Sequence, residues 1–92
     1  MRLKWRPIAL DDRVAIMDYI GQDNPIAASE LDVAFEERAE QARQHPQFYK
    51  NGRLAGTKEI VVRPNYVMVY RCDETTVEIL RVLHAAQKWP IG

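Results

Sequence analysis

The chain is 92 residues long and 47% hydrophobic, and its 13 Lys and Arg balance 13 Asp and Glu for a formal net charge of zero. A single domain over residues 1–92 follows, burying only about 60 to 65% of the surface its unfolded form exposes, and an enclosed substrate cavity of the usual ~300 Å³ or more is excluded, so activity belongs on an open face or groove. Zero net charge argues against a strong nucleic-acid binder, the single Cys72 excludes an internal disulfide, and with no apolar segment after Met1 neither signal peptide nor membrane span is expected and the location is expected to be cytoplasmic.

Residues 2 to 6 alternate charged and apolar, which puts Leu3 and Trp5 on one face of a short strand that Pro7 ends. From Ala9 to about Gly21 the period changes to that of a helix, with Leu10, Val14, Met17 and Ile20 forming the expected buried stripe. Asp23-Asn24-Pro25 then supplies an N-cap and a proline at the first position of a second helix. Along it Ala27, Leu31, Ala34, Phe35, Arg38 and Ala42 share a face until Pro46 forbids continuation. Two helices joined by so few residues are antiparallel neighbours, and the small residues Ala27, Ala28, Ala34, Ala39 and Ala42 let them approach closely.

Residues 47 to 53, with an Asn-Gly turn signal, read as a loop. Three strands follow: Gly56 to Val62, Asn65 to Arg71, and a run from Val77 that ends near His84, separated by Pro64-Asn65 and Asp73-Glu74-Thr75. The expected fold is α+β: an N-terminal strand, an antiparallel helical hairpin, then a three-stranded antiparallel meander, with the helices packed on one face of the sheet. The pattern leaves open whether the first strand pairs with the second or the fourth.

Charge is unevenly placed. Residues 8 to 46 carry nine acids against three bases, a net of minus six, and the remainder is plus six. The strands and their loops are therefore expected to be electropositive and the helices electronegative, with an anionic partner on the sheet side.

Familiar catalytic signatures are missing: there is no phosphate-binding Gly-rich loop, no paired cysteines, and His45 and His84 lack ligand spacing. No metal and no cofactor are expected. Metal-independent RNA cleavage needs a base for the 2′-hydroxyl, a cation for the scissile phosphate and an acid for the leaving oxygen, and His84, Arg81 and the tyrosine Tyr70 are the candidates. Strict alternation sends Val77, Ile79, Arg81 and Leu83 to one face and Glu78, Leu80, Val82 and His84 to the other, so Arg81 and His84 meet only if the strand ends at about Leu83. An ion pair of Arg81 with Glu59 or Glu78 is the competing expectation, and Trp89 before Pro90 reads as a tail anchor. Cys72 reads as a small residue closing a strand, since Asp73 and Glu74 disfavour a thiolate.

The segments Ile16-Met17-Asp18-Tyr19-Ile20-Gly21-Gln22-Asp23-Asn24-Pro25-Ile26-Ala27-Ala28, Gly56-Thr57-Lys58-Glu59, Tyr66-Val67-Met68-Val69-Tyr70-Arg71 and Ile79-Leu80-Arg81-Val82-Leu83-His84-Ala85-Ala86-Gln87-Lys88-Trp89-Pro90 together resemble the ParE/RelE superfamily of plasmid-stabilisation toxins. The resemblance implies a growth-arresting toxin of a type II toxin-antitoxin system, neutralised by a cognate antitoxin encoded beside it whose extended tail wraps the toxin. It implies a possible toxin-antitoxin hetero-oligomer and no membrane partner. RelE-like members resemble ribosome-dependent mRNA interferases, whereas ParE-like members resemble poisons of DNA gyrase. In the RelE branch an arginine typically follows the strand tyrosine and basic residues follow the last strand; here Val67 follows Tyr66, and Ala85-Ala86-Gln87 follows His84. Those departures favour the ParE-like branch, with the ribosome and its mRNA as the alternative target. Another nuclease subgroup places a histidine near its C terminus, which His84 matches, and a degenerate toxin that only binds its antitoxin is a third reading. Lys58, Arg63, Arg71, Lys88 and Trp89 are the residues expected to meet target or antitoxin.

Overall fold

The computed structural model describes residues 1–90. In chain order it contains β1 (Arg2–Trp5), α1 (Pro7–Gly21), α2 (Pro25–Gln44), β2 (Lys50–Asn51), β3 (Lys58–Arg63), β4 (Tyr66–Cys72) and β5 (Thr76–His84). The strands form one open sheet in the order β1-β5-β4-β3-β2, antiparallel except that β1 runs parallel to β5. The first strand thus takes the last as its partner. The segment expected to be loop contributes β2, a two-residue strand paired with Lys58 and Glu59. Its Asn-Gly pair is no tight hairpin: the connection runs on to Thr57, whose carbonyl accepts the Gly52 N–H at 2.8 Å, and the left-handed position falls at Gly56 (φ 79°).

Pro7 does more than end β1, because its missing N–H is harmless in the first turn of α1. Asn24 caps α2 as its sequence predicts, its Oδ1 accepting the Ala27 N–H at 3.1 Å. Both helices lie on one face of the sheet. Phe35, Ile60, Met68, Tyr70, Val77, Ile79 and Val82 form the core there, with Ala9, Ala34, Ala39 and Ala42 letting the helix backbones approach. Each fully buried large side chain contributes roughly 1.5 to 3 kcal/mol relative to exposure.

One face was expected differently. Leu10 and Val14 are 44% and 60% exposed; α1 keeps Ile20 of the expected stripe inward and turns Ala9, Arg13 and Ile16 inward in place of those two. The reason is Arg13: its guanidinium donates to both carboxylate oxygens of Asp32 at 2.8 Å and to Glu36 at 2.8 Å, and lies 4.6 Å from the Trp5 ring centroid. A guanidinium paired with two carboxylates is stable between the helices, and its long stem packs as an apolar residue does.

A second departure lies in β5. The β4–β5 register pairs Tyr70 with Ile79 but Val69 with Arg81, so Leu80 is an extra residue in a β-bulge. The bulge reverses the alternation: Val77, Ile79 and Val82 face the helices, while Leu80 and Leu83 join Val69 on the opposite side. Strict alternation had put Val77 with Leu83 and Leu80 with Val82.

Candidate functional site on the open face of the sheet

The face turned away from the helices has two halves. Towards the β4–β5 turn, the register aligns Lys4 of β1, Glu78 of β5 and Arg71 of β4 in one row across three strands. Glu78 accepts from Arg71 Nε at 3.0 Å and Arg6 Nη2 at 3.4 Å, with Lys4 Nζ 3.9 Å from its second oxygen. Three cations therefore share one carboxylate. Towards the other end lie Val69, Leu80 and Leu83, and the half-buried Trp89 packs on them, so the chain's own tail covers this apolar half. Among the described residues the indole Nε1–H of Trp89, buried there, finds no acceptor. Trp89 is the tail anchor its position suggests, and the charged half of the face stays open.

The candidate cleavage residues are not brought together. Tyr70 is fully buried on the helix side, where its hydroxyl donates to the Pro46 carbonyl at 2.6 Å and burial pushes its pKa up to about 12. Arg81 pairs with neither Glu59 nor Glu78; its guanidinium is held by Asp12 of α1 at 2.9 and 3.0 Å, a pairing that raises its pKa, and lies 5.9 Å from the Trp89 ring centroid. Glu59 takes Arg53 instead. His84 stands exposed at the end of β5, paired in register with Tyr66. Tyr66 and Tyr70 lie four positions apart on β4, about 13 Å at the rise of a strand.

The imidazole of His84 has a defined environment. Its Nδ1 accepts the Ala86 N–H at 3.0 Å and its ring meets Tyr66 edge-on at 5.3 Å. An N–H can donate only to an unprotonated nitrogen, so the neutral ring carries its proton on Nε2. In that tautomer it can donate but has no free lone pair for a substrate proton. The groove beside it, about 430 Å³, is lined by Ile16, Tyr19, Tyr66, His84, Ala86 and Gln87.

Of the residues expected to meet a partner, Arg63, Arg71 and Lys88 present exposed cations. Lys58 is engaged at home, donating to the Tyr49 carbonyl at 3.0 Å and to Asn51 Oδ1 at 3.3 Å. Sequence reasoning missed Asp12, one of two adjacent aspartates that helical spacing does not distinguish, and it missed the gathering of Lys4 and Arg6 on Glu78. The alternation of β1 set Lys4 opposite Leu3 and Trp5, but its neighbour depended on the strand partner. Among the described residues no helix is long and apolar enough to cross a membrane.

Residues 3–89 match the family described as ParE toxin of the type II toxin-antitoxin system, parDE. The chain belongs to the ParE toxin family. It is a type II toxin of the ParE/RelE superfamily, and that membership implies a cognate antitoxin. It is similar to toxin RelE2 of Caulobacter vibrioides, 40% identical over 85 residues that cover 90% of this chain and 91% of that one. It is also similar to the putative toxin Y4kP of Sinorhizobium fredii, 33% identical over 90 residues that cover 97% of this chain and 93% of that one. In fold it resembles the chromosomal ParDE toxin-antitoxin system from P. aeruginosa, with a TM-score of 0.81 at 22% identity, covering 91% of this chain and 95% of that one. A YoeB/ParE toxin from Agrobacterium tumefaciens superposes with a TM-score of 0.64 at 16% identity, covering 91% and 98%. The ParE/RelE-like arrangement is thus two helices on a five-stranded open sheet, as the neighbours have it.

Proposed function

We propose that this ParE-family toxin arrests growth as a binding module directed at DNA gyrase, the ParE-like mode, and not as a nuclease. The supporting observation is the separation of the three groups that cleavage requires. Tyr70 keeps its proton inside the core, Arg81 is occupied by Asp12, and His84 offers a donor where a base is needed. A surface that binds without bond-making needs none of these groups to converge.

A second reading, a ribosome-dependent mRNA interferase, draws on one feature. His84 is exposed beside Tyr66 at the mouth of a groove, where a bound substrate can reorganise the Ala86 contact.

Inducing the protein without its antitoxin separates the two. The expected outcome is growth arrest with gyrase-linked double-strand breaks, retained by His84→Ala. Codon-positioned cuts in translated messages, lost in His84→Ala, overturn the proposal in favour of the interferase, and absence of arrest overturns both for a degenerate toxin.

A further inference from the structure

We propose that the outer face of the α1–α2 hairpin is where the toxin meets its target, and that the segment it takes there is a basic, amphipathic helix of the target protein; this rests on the gyrase reading above. The first argument is an inversion in α1. Leu10, Val14 and Met17 have the spacing of a core stripe, yet Leu10 and Val14 stand in solvent while the charged Arg13 takes the inward place. Setting Val and Leu in water and a guanidinium inside adds nothing to stability, and such departures from a consistent pattern mark surfaces kept for binding. α2 repeats the exposure, with Ile26 and Val33 two turns apart and 72% and 53% exposed. Arg13 reaches across the hairpin to Asp32 and Glu36, which sets their neighbours Val14 and Val33 at one level on the two helices. The exposed apolar side chains thus form one face.

The second argument is charge. All three bases of residues 8–46 are engaged: Arg13 with Asp32 and Glu36, Arg43 with Glu40, and Arg38 with the Val61 carbonyl at 3.5 Å. Asp11 and Asp18 of α1 and Glu30 and Glu37 of α2 are exposed and have no ion-pair partner among the described residues. Arg38 and Arg63 share a hollow with Glu30 and Glu37 at the sheet edge, so the excess negative charge is greatest on the α1 side.

The third argument selects the occupant. Asp11 and Asp18 are seven residues apart, two turns of helix, and they border the stripe of Leu10, Val14 and Met17. A partner helix with Lys or Arg at the same two-turn spacing and apolar residues between them satisfies the carboxylates and covers the stripe together. Other occupants meet repulsion. A nucleic-acid strand brings phosphates to carboxylates, an acidic peptide does the same, and a second copy of this chain brings an identical negative face.

The test is calorimetric titration of purified DNA gyrase into wild type, Val14→Ser/Val33→Ser and Asp11→Asn/Asp18→Asn at low and high salt, with the antitoxin encoded beside this chain titrated into the same three proteins. All four positions are exposed, so melting temperatures within about 3 °C of wild type are expected. Val14→Ser/Val33→Ser is expected to weaken gyrase binding roughly tenfold at both salt concentrations. Asp11→Asn/Asp18→Asn is expected to weaken it roughly fivefold at low salt, with the difference fading at high salt. Antitoxin affinity is expected to stay unchanged in both. Wild-type affinity for gyrase in both variants overturns this face while leaving the gyrase reading intact. Weakened antitoxin binding with gyrase binding retained assigns the face to the antitoxin, and a wild-type dimer in sedimentation that Val14→Ser/Val33→Ser abolishes assigns it to a second copy; either overturns the proposal. A wild type that neither binds gyrase nor causes double-strand breaks on induction sinks the gyrase reading itself, and this assignment with it.

Discussion

Asp12 and Arg81 join α1 to the far end of β5 through two hydrogen bonds of 2.9 and 3.0 Å, and the same carboxylate accepts the Val82 N–H at 3.0 Å. β1 reaches only to the level of Ile79, so beyond it the edge of β5 has no strand neighbour. Asp12 supplies the missing acceptor. Asp12→Ala is expected to cost about 2 kcal/mol, since it strands a partly buried guanidinium and a backbone donor together, and to lower the melting temperature by roughly 10 °C in a domain of this size. A thermal melt unchanged within a degree would show the clamp to be idle.

Arg13 allows a sharper comparison, because its stem and its charge do different work. Arg13→Ala is expected to lose about 3 kcal/mol, as it empties the space over Trp5 and leaves Asp32 and Glu36 facing one another. Arg13→Met keeps the packing, and the two carboxylates retain access to water, so its cost is expected to stay near or below about 1 kcal/mol. Urea unfolding of the two variants measures the difference directly.

Acid should unfold this protein through a small number of carboxylates. Burial pushes the Glu59 carboxyl up, but the Arg53 backbone N–H and guanidinium outweigh it and leave the group below its ordinary value. Asp73 is also lowered, by the backbone N–H groups of Thr75 and Thr76. A carboxylate with a depressed folded pKa lends stability above its unfolded value, and loses it as pH falls through the folded one. Urea midpoints are therefore expected to hold between pH 7 and 5 and to decline below about pH 4. Glu59→Gln should make that decline shallower.

Trp89 covers Val69, Leu80 and Leu83, and its indole N–H finds no acceptor among the described residues. Trp89→Phe removes that donor and keeps most of the cover, so it is expected to be neutral or stabilising by up to about 1 kcal/mol. Trp89→Ala uncovers the patch and is expected to cost about 2 kcal/mol. Melts of the two variants test whether the tail is held by area alone, and a larger loss in Trp89→Phe than in Trp89→Ala would contradict that account.

Much of this fold is legible in the chain. The cap at Asn24, the stop at Pro46, the turn at Asp73 and the three Val- and Tyr-rich runs are local signals, and local signals survive folding. What escaped depends on contacts far apart in sequence. Arg13 reads as a surface residue until Asp32, Glu36 and Trp5 are brought around it, and only then does α1 rotate Leu10 and Val14 outward. The bulge at Leu80 is invisible to a period of two, yet it decides which side of the sheet carries Arg81 and His84. At the candidate site, the exposed cations Arg63, Arg71 and Lys88 were legible as residues, whereas the row through Glu78 required knowing that β1 and β5 are neighbours.

That neighbourhood also governs how the molecule comes into being. β1 finds its place only against β5, which is made after it, so Leu3 and Trp5 must wait for Val77 and Ile79 before their side of the core can close. A fragment stopped before Thr76 lacks the neighbour of both β1 and β4. A chain interrupted there leaves two strands without the partner that joins them, so the sheet is completed only when β5 has been made.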